Sequence, residues 1–351
     1  QRVLTTGDSN TAVGTYAQYS TVTASLNTAI GTNSQRTLTI GANNTAVGTE
    51  SQYSLVDGSK NTSIGVQALY TASSADANTA IGYHCQNKIT TGSANTAIGS
   101  DSQYSLTIGA SNTAIGVASQ YSMVGGDYNT AIGLESQYSA QGGDNNTAIG
   151  YQSQYQLING TGNTGVGSQT QYGLTNGTSN CAVGDSAQYT LTTGASNNAF
   201  GVTAQYSLDT GSYNLALGAA AQYSLFDGDR NIGLGHQVQL NTTGGDDNIG
   251  IGYRAQYNTS TGVSNIAIGS NVHANLYTGN QNIGIGGEAQ ASLGAGSANT
   301  CVGYGSQYLA NGVTGNTTLG HTSLVTTTIG ASYNVTVGQY SAQMLFTGIG
   351  N

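Results

Sequence analysis

The chain repeats itself every 17 residues, and that period limits its fold more than any other feature. The motif Asn-Thr-Ala-Ile-Gly, or a close variant, starts at Asn10, Asn27, Asn44, Asn61, Asn78, Asn95 and Asn112 and continues in steps of 17 to Asn316. One extra residue then moves the frame to Asn334, and a further 17 reaches Asn351. Residues 1–9 read as the tail of a preceding repeat, residues 10–350 as twenty repeats and residue 351 as the start of another. The expected organisation is therefore one continuous tandem-repeat solenoid over residues 1–351. A period of this size marks a solenoid, in which no repeat buries a face alone but stacked repeats bury a continuous one.

The unit can be written N-T-A-I-G-x-x-S-Q-Y-S-L-x-x-G-x-x. Positions 1 and 5 are Asn and Gly in all 20 repeats, position 4 is always a large apolar residue and position 3 is always small. Position 15 is Gly in 17 of the 20, failing at Ala24, Ala75 and Val313. Two short β-competent runs are thus separated by two Gly-marked turns. A helix is excluded, because no 3.6-residue stripe survives and Gly recurs twice per unit. All 15 acidic residues, with Lys60, Arg230 and Arg254, fall at positions 6, 7 or 13–17, where turns should meet water. The predicted class is all-β, a parallel β-solenoid (β-roll) of about 20 coils. At ~4.8 Å per coil it would be a rod of roughly 95 Å.

Stacking places identical residues above one another. Asn10, Asn27, Asn44, Asn112, Asn129 and Asn146 are expected to form a side-chain amide ladder. Gly14, Gly31, Gly48, Gly116 and Gly133 should mark a positive φ or a close backbone approach. Strand alternation predicts that Ile98, Ile115 and Ile132 face inward against the leucines of position 12, such as Leu55, Leu106, Leu157 and Leu208. The same parity puts Tyr104, Tyr121 and Tyr138 inside as a packing spine, with a ligand-binding aromatic platform as the other reading. It turns Gln at position 9 outward or to a flank. Ala97, Ala114, Ala131 and Ala148 should then form a flat outward strip, a candidate oligomer interface that permits close approach of backbones.

With these residues in view, N-T-A-I-G-x-x-S-Q-Y-S-L-x-x-G resembles the head repeats of trimeric autotransporter adhesins. It is closer still to a 17-residue variant found in phage and giant-virus tail fibres, and Asn61–Ala77 (N-T-S-I-G-V-Q-A-L-Y-T-A-S-S-A-D-A) is similar to that variant almost throughout. The resemblance covers essentially the whole chain, although the adhesin unit is shorter. It implies a left-handed roll, three chains associating side by side as a homotrimer, and attachment to a cell-surface receptor or glycan.

Little else in the chain suggests chemistry. Cys85, Cys181 and Cys301 lie about 30 Å apart along the predicted stack, too far for an intrachain disulfide. The four His, at 84, 236, 273 and 321, are equally scattered, so no zinc site or triad assembles. Six Lys and Arg against 15 Asp and Glu exclude a binder that works by neutralising phosphate. No apolar stretch approaches the ~20 residues of a membrane span. Catalytic residues and cofactors are therefore expected to be absent. Asp127 and Asp144 stack in adjacent turns and are calcium candidates, with solvated turns as the plainer reading. Sequons at Asn43, Asn145, Asn159, Asn176, Asn241 and Asn258 fall outside the Asn ladder and are candidate glycan sites, while those at Asn61, Asn316 and Asn334 belong to it. The expected function is a rigid structural or adhesive shaft or head of an extracellular, cell-surface or virion-surface fibre. A purely structural extracellular filament is one alternative. Ice binding is another, suggested by the file of ten threonines from Thr11 to Thr164.

Overall fold

A computed structural model describes residues 6–327, 331–342, 344–345 and 348–349. The chain divides into two compact units, Gln1–Asn176 and Gly177–Asn351. Asn351, expected to open a further repeat, lies outside the described residues, as do residues 1–5. The fold is all-β with no helix among the described residues. In the first unit, ten three-residue strands run from Thr11–Val13 to Thr164–Val166, each occupying positions 2–4 of a repeat. Neighbours pair parallel and in register, as in Thr96↔Thr113, Ala97↔Ala114 and Ile98↔Ile115. The second unit holds ten equivalent strands among its described residues, from Cys181–Val183 to Val335–Val337. Its pairing absorbs the extra residue before Asn334 without loss of register, since Thr317 pairs with Val335. Short strands such as Leu309–Ala310 and Thr326–Thr327 add a second parallel ladder there. Each unit is therefore a β-solenoid of 17-residue coils.

Between strands the coil turns tightly, yet its backbone stays bonded to the neighbouring coils. Gln103 N–H donates to Ser119 C=O at 2.9 Å, Ser105 N–H to Tyr121 C=O at 3.1 Å and Gly116 N–H to Ile98 C=O at 2.8 Å. The turns need left-handed backbone at positions 7, 9 and 17, as at Asp101 (φ 55°), Gln103 (φ 49°) and Ser111 (φ 59°). Non-glycine residues tolerate that region at a cost of about 1–2 kcal/mol each. Position 5 is different. Gly14 has φ +130°, and a Cβ there would stand 2.6 Å from the carbonyl oxygen of Gly31. Conformation and close approach together explain why this residue is always Gly.

The interior reverses part of the expected map. Ala97, Ala114, Ala131 and Ala148 point inward and are fully buried, so they cannot form an outward interface. Ile98 and Ile115 point outward, each 37% exposed, and Ile132 is half-buried on the same side. Tyr104, Tyr121 and Tyr138 are half-buried on the outside of the coil, whereas Gln103, Gln120 and Gln137 are completely buried. Only the inward leucines of position 12 stand as expected, with Leu55, Leu106, Leu157 and Leu208 all fully buried. The physical reason is cross-section: a coil this narrow has room at position 3 only for a side chain no larger than Thr or Cys. Asn, Ala, Ser, Gln and Leu of positions 1, 3, 8, 9 and 12 already fill it.

Candidate functional surfaces

Two buried amide ladders hold the coils together and fix what the outside presents. The Asn112 amide nitrogen donates to Gly126 C=O of its own coil at 2.7 Å, closing the loop. Its Oδ1 accepts the backbone N–H of Asn129 at 2.8 Å, while its own N–H donates to Asn95 Oδ1 at 2.9 Å. The position thus requires a donor and an acceptor on a short stem in a dry site, which only Asn supplies. The expected Asn ladder is therefore present, including Asn27, Asn44, Asn129 and Asn146, each bonded to the preceding Asn. The second ladder escaped the sequence reading. Gln86, Gln103, Gln120, Gln137 and Gln154 each donate Nε2–H to the next Gln Oε1, at 2.8–2.9 Å, ending on Gln171. The near-constancy of an uncharged Gln at position 9 was the available signal.

The Gln ladder has faults at Leu69, His273 and Leu324. Leu69 interrupts it, and Gln86 Oε1 is left buried without a hydrogen-bond partner. Leu324 takes the place above Gln307 and leaves Gln307 Nε2 buried without a hydrogen-bond partner. His273 also takes a Gln place. It is fully buried, its Nε2 meets Gln290 Oε1, its Nδ1 has no partner, and burial depresses its pKa to about 4.

Outside, the first surface is the strand face. Because position 3 points in, positions 2 and 4 both point out. Ile30 is 41% exposed, and Val13, Ile64 and Ile149 stand out on the same side. The second unit has its own position-4 file, with Val183, Phe200, Leu217, Ile268 and Ile285 exposed. There position 2 also turns apolar, with half-buried Leu215, Ile232, Ile249, Ile266 and Ile283 beside it. In the first unit the flanking file is the ten threonines from Thr11 to Thr164.

The second surface is a tyrosine file. Tyr104, Tyr121, Tyr138, Tyr155 and Tyr172 stack with ring centroids 5.1–5.2 Å apart and planes 4–7° from parallel. Tyr189, Tyr206 and Tyr223 form a similar run in the second unit, at 5.0–5.1 Å. Partial desolvation first, and then the charge of neighbouring tyrosines, push the Tyr121 and Tyr206 hydroxyls above their ordinary pKa. Where Arg36 replaces Tyr, its guanidinium sits 5.8 Å from the Tyr19 ring and 5.5 Å from the Tyr53 ring, so a planar cation keeps the stack going.

The calcium candidates have another occupation. Asp127 Oδ1 accepts Ala110 N–H, and Asp144 Oδ1 accepts Asp127 N–H, both at 2.8 Å. Asp229 and Asp246 do the same for Ser212 and Asp229, and Ser59 does it for Ala42. An acceptor at position 16 therefore caps a backbone N–H of the preceding coil, which accounts for the aspartates without a cation. No group of three or more His, Cys, Asp or Glu that could hold a metal occurs among the described residues. Cys85 and Cys301 are buried, free and pushed up to about 12 by desolvation; Cys181 is free and half-buried. The sequon residues Asn43, Asn145, Asn159, Asn176 and Asn241 are exposed and Asn258 is half-buried, whereas Asn61, Asn316 and Asn334 are buried in the ladder. No helix among the described residues is long and apolar enough to cross a membrane. No family model matches this chain, and no curated protein matches it in sequence.

Proposed function

We propose that the chain is a structural or adhesive fibre element of an extracellular, cell or virion surface, assembled from several copies and with no catalytic part. The observation that supports this reading is the outward aliphatic file of position 4. An apolar strip repeated on coil after coil is far larger than the scattered apolar residues of an ordinary surface. Every copy carries the same strip at the same spacing, so the partner of matching chemistry is another copy of the chain. The sequence resemblance to trimeric adhesin heads and tail fibres favours three copies. The interface is thus reassigned from the alanines of position 3 to the aliphatics of position 4. Sedimentation equilibrium tests the reading: about three times the chain mass is expected, and Ile98→Lys with Ile115→Lys should yield monomers with an unchanged β spectrum. A wild-type monomer at every concentration would refute self-assembly.

Ice binding remains a second reading for the first unit, because the threonines of position 2 and the Ile or Val of position 4 share one outward strand face there. Thermal hysteresis in dilute solution would support it, and none at high concentration would remove it.

A further inference from the structure

We propose that the tyrosine file of position 10 binds an extended, uncharged β-1,4-linked polysaccharide laid along the coil axis. The inference rests on the attachment reading above and names the chemistry of the target. In the run Tyr104 to Tyr172 each ring is stacked parallel and offset on the next, so its faces are largely taken up by its neighbours. What remains outward is a row of ring edges and hydroxyls. A phenolic hydroxyl both donates and accepts, yet those of Tyr104, Tyr121, Tyr138 and Tyr155 make no hydrogen bond to the described residues. Ser105, Ser122 and Ser139, half-buried at position 11, lie beside them as a second hydroxyl row.

The period of this surface selects a periodic partner. Its 5.1–5.2 Å spacing is close to the advance per sugar of a fully extended β-1,4-linked glycan, so each tyrosine meets one sugar residue in turn. Such a polymer offers hydroxyls at every step, matching a surface of hydroxyls at every step. Charge points the same way: only 6% of residues are charged, and a neutral polymer loses nothing to that scarcity. Each contact is weak, but successive contacts on one polymer are intramolecular and multiply. A small aromatic or a single sugar would gain none of that repetition.

Retention of the full chain on microcrystalline cellulose and on chitin beads tests this. Wild type should be retained by one of the two polymers, equally in low and molar salt. Tyr121→Phe/Tyr138→Phe/Tyr155→Phe keeps the stack and removes three hydroxyls, and should weaken retention about tenfold with an unchanged melting temperature. Failure of wild type to bind either polymer, or undiminished retention of the phenylalanine variant, would overturn the proposal. If the assembled mass persists in that case, the fibre reading survives and only the target is wrong.

Discussion

In each of the three repeats that lack Gly at position 15, position 12 is small: Thr21 with Ala24, Ala72 with Ala75, and Ala310 with Val313. The structure supplies the cause. A Cβ on Gly109 would stand 2.8 Å from Leu106 Cδ1 and 2.5 Å from Gly126 O. The leucine methyl thus occupies part of the space that a side chain at position 15 needs; the Gly126 carbonyl takes another part and must shift in either background. Gly109→Ala alone should cost about 1–3 kcal/mol by overpacking. Leu106→Ala alone should cost about 2–5 kcal/mol, since Leu106 is fully buried. Together they recreate the pair at Ala72 and Ala75, both fully buried in the native chain. The double variant should therefore lose less than the sum of the singles, with a coupling of about 1–2 kcal/mol. Thermal melting of the four proteins, with hydrogen exchange over residues 95–128 to localise the effect, measures the cycle. Strict additivity, or a double variant worse than the sum, would refute the packing argument.

Three further outcomes follow from the ladders. Asn112→Ala leaves Gly126 C=O and Asn129 N–H buried without partners and should cost about 2–6 kcal/mol in a melting experiment. Leu69→Gln should join the two Gln runs, give Gln86 Oε1 a donor and stabilise the chain by about 1 kcal/mol. His273 is neutral in the fold down to about pH 4, whereas the unfolded form takes up a proton below about 6.5. Its contribution is therefore nil above about pH 6.5. As pH falls toward 4 stability is lost, by roughly 3 kcal/mol in all, and His273→Gln should abolish that part of the acid sensitivity seen in melting at pH 7 and pH 4.

Period, the strand at positions 2–4 and the Asn ladder were legible in the sequence because each leaves a mark at every 17th residue. The second expected run, positions 8–12, is instead turn and forms no strand among the described residues of the first unit. Inside and outside were not legible, because parity alone offers two maps and the large apolar residues of position 4 point to the wrong one. Size was the wrong guide for a narrow coil. Position 3 admits Ala, Gly, Ser, Thr and Cys but nothing larger, while position 4 ranges from Val to Phe. Strict smallness is the mark of confinement, and tolerance of size is the mark of a surface. Polarity alone sends Gln at position 9 outward or to a flank. In a stacked fold, however, a buried amide finds its partner in the same residue one coil away. The turn aspartates were weighed as like charges in contact, whereas each accepts a backbone N–H that only the coordinates reveal.

Thiol labelling of two neighbouring cysteines tests the central claim, an inside-out strand whose outer file joins copies of the chain. In a Cys181→Thr background the remaining native thiols are buried, and Cys301 shows that position 3 accepts a cysteine. Ala114→Cys should stay unreactive at every protein concentration until the coil unfolds. Ile115→Cys should react in dilute solution and become protected at concentrations where the chain sediments as an assembly. Rapid labelling of Ala114→Cys in the folded protein, with Ile115→Cys protected at all dilutions, would contradict the account.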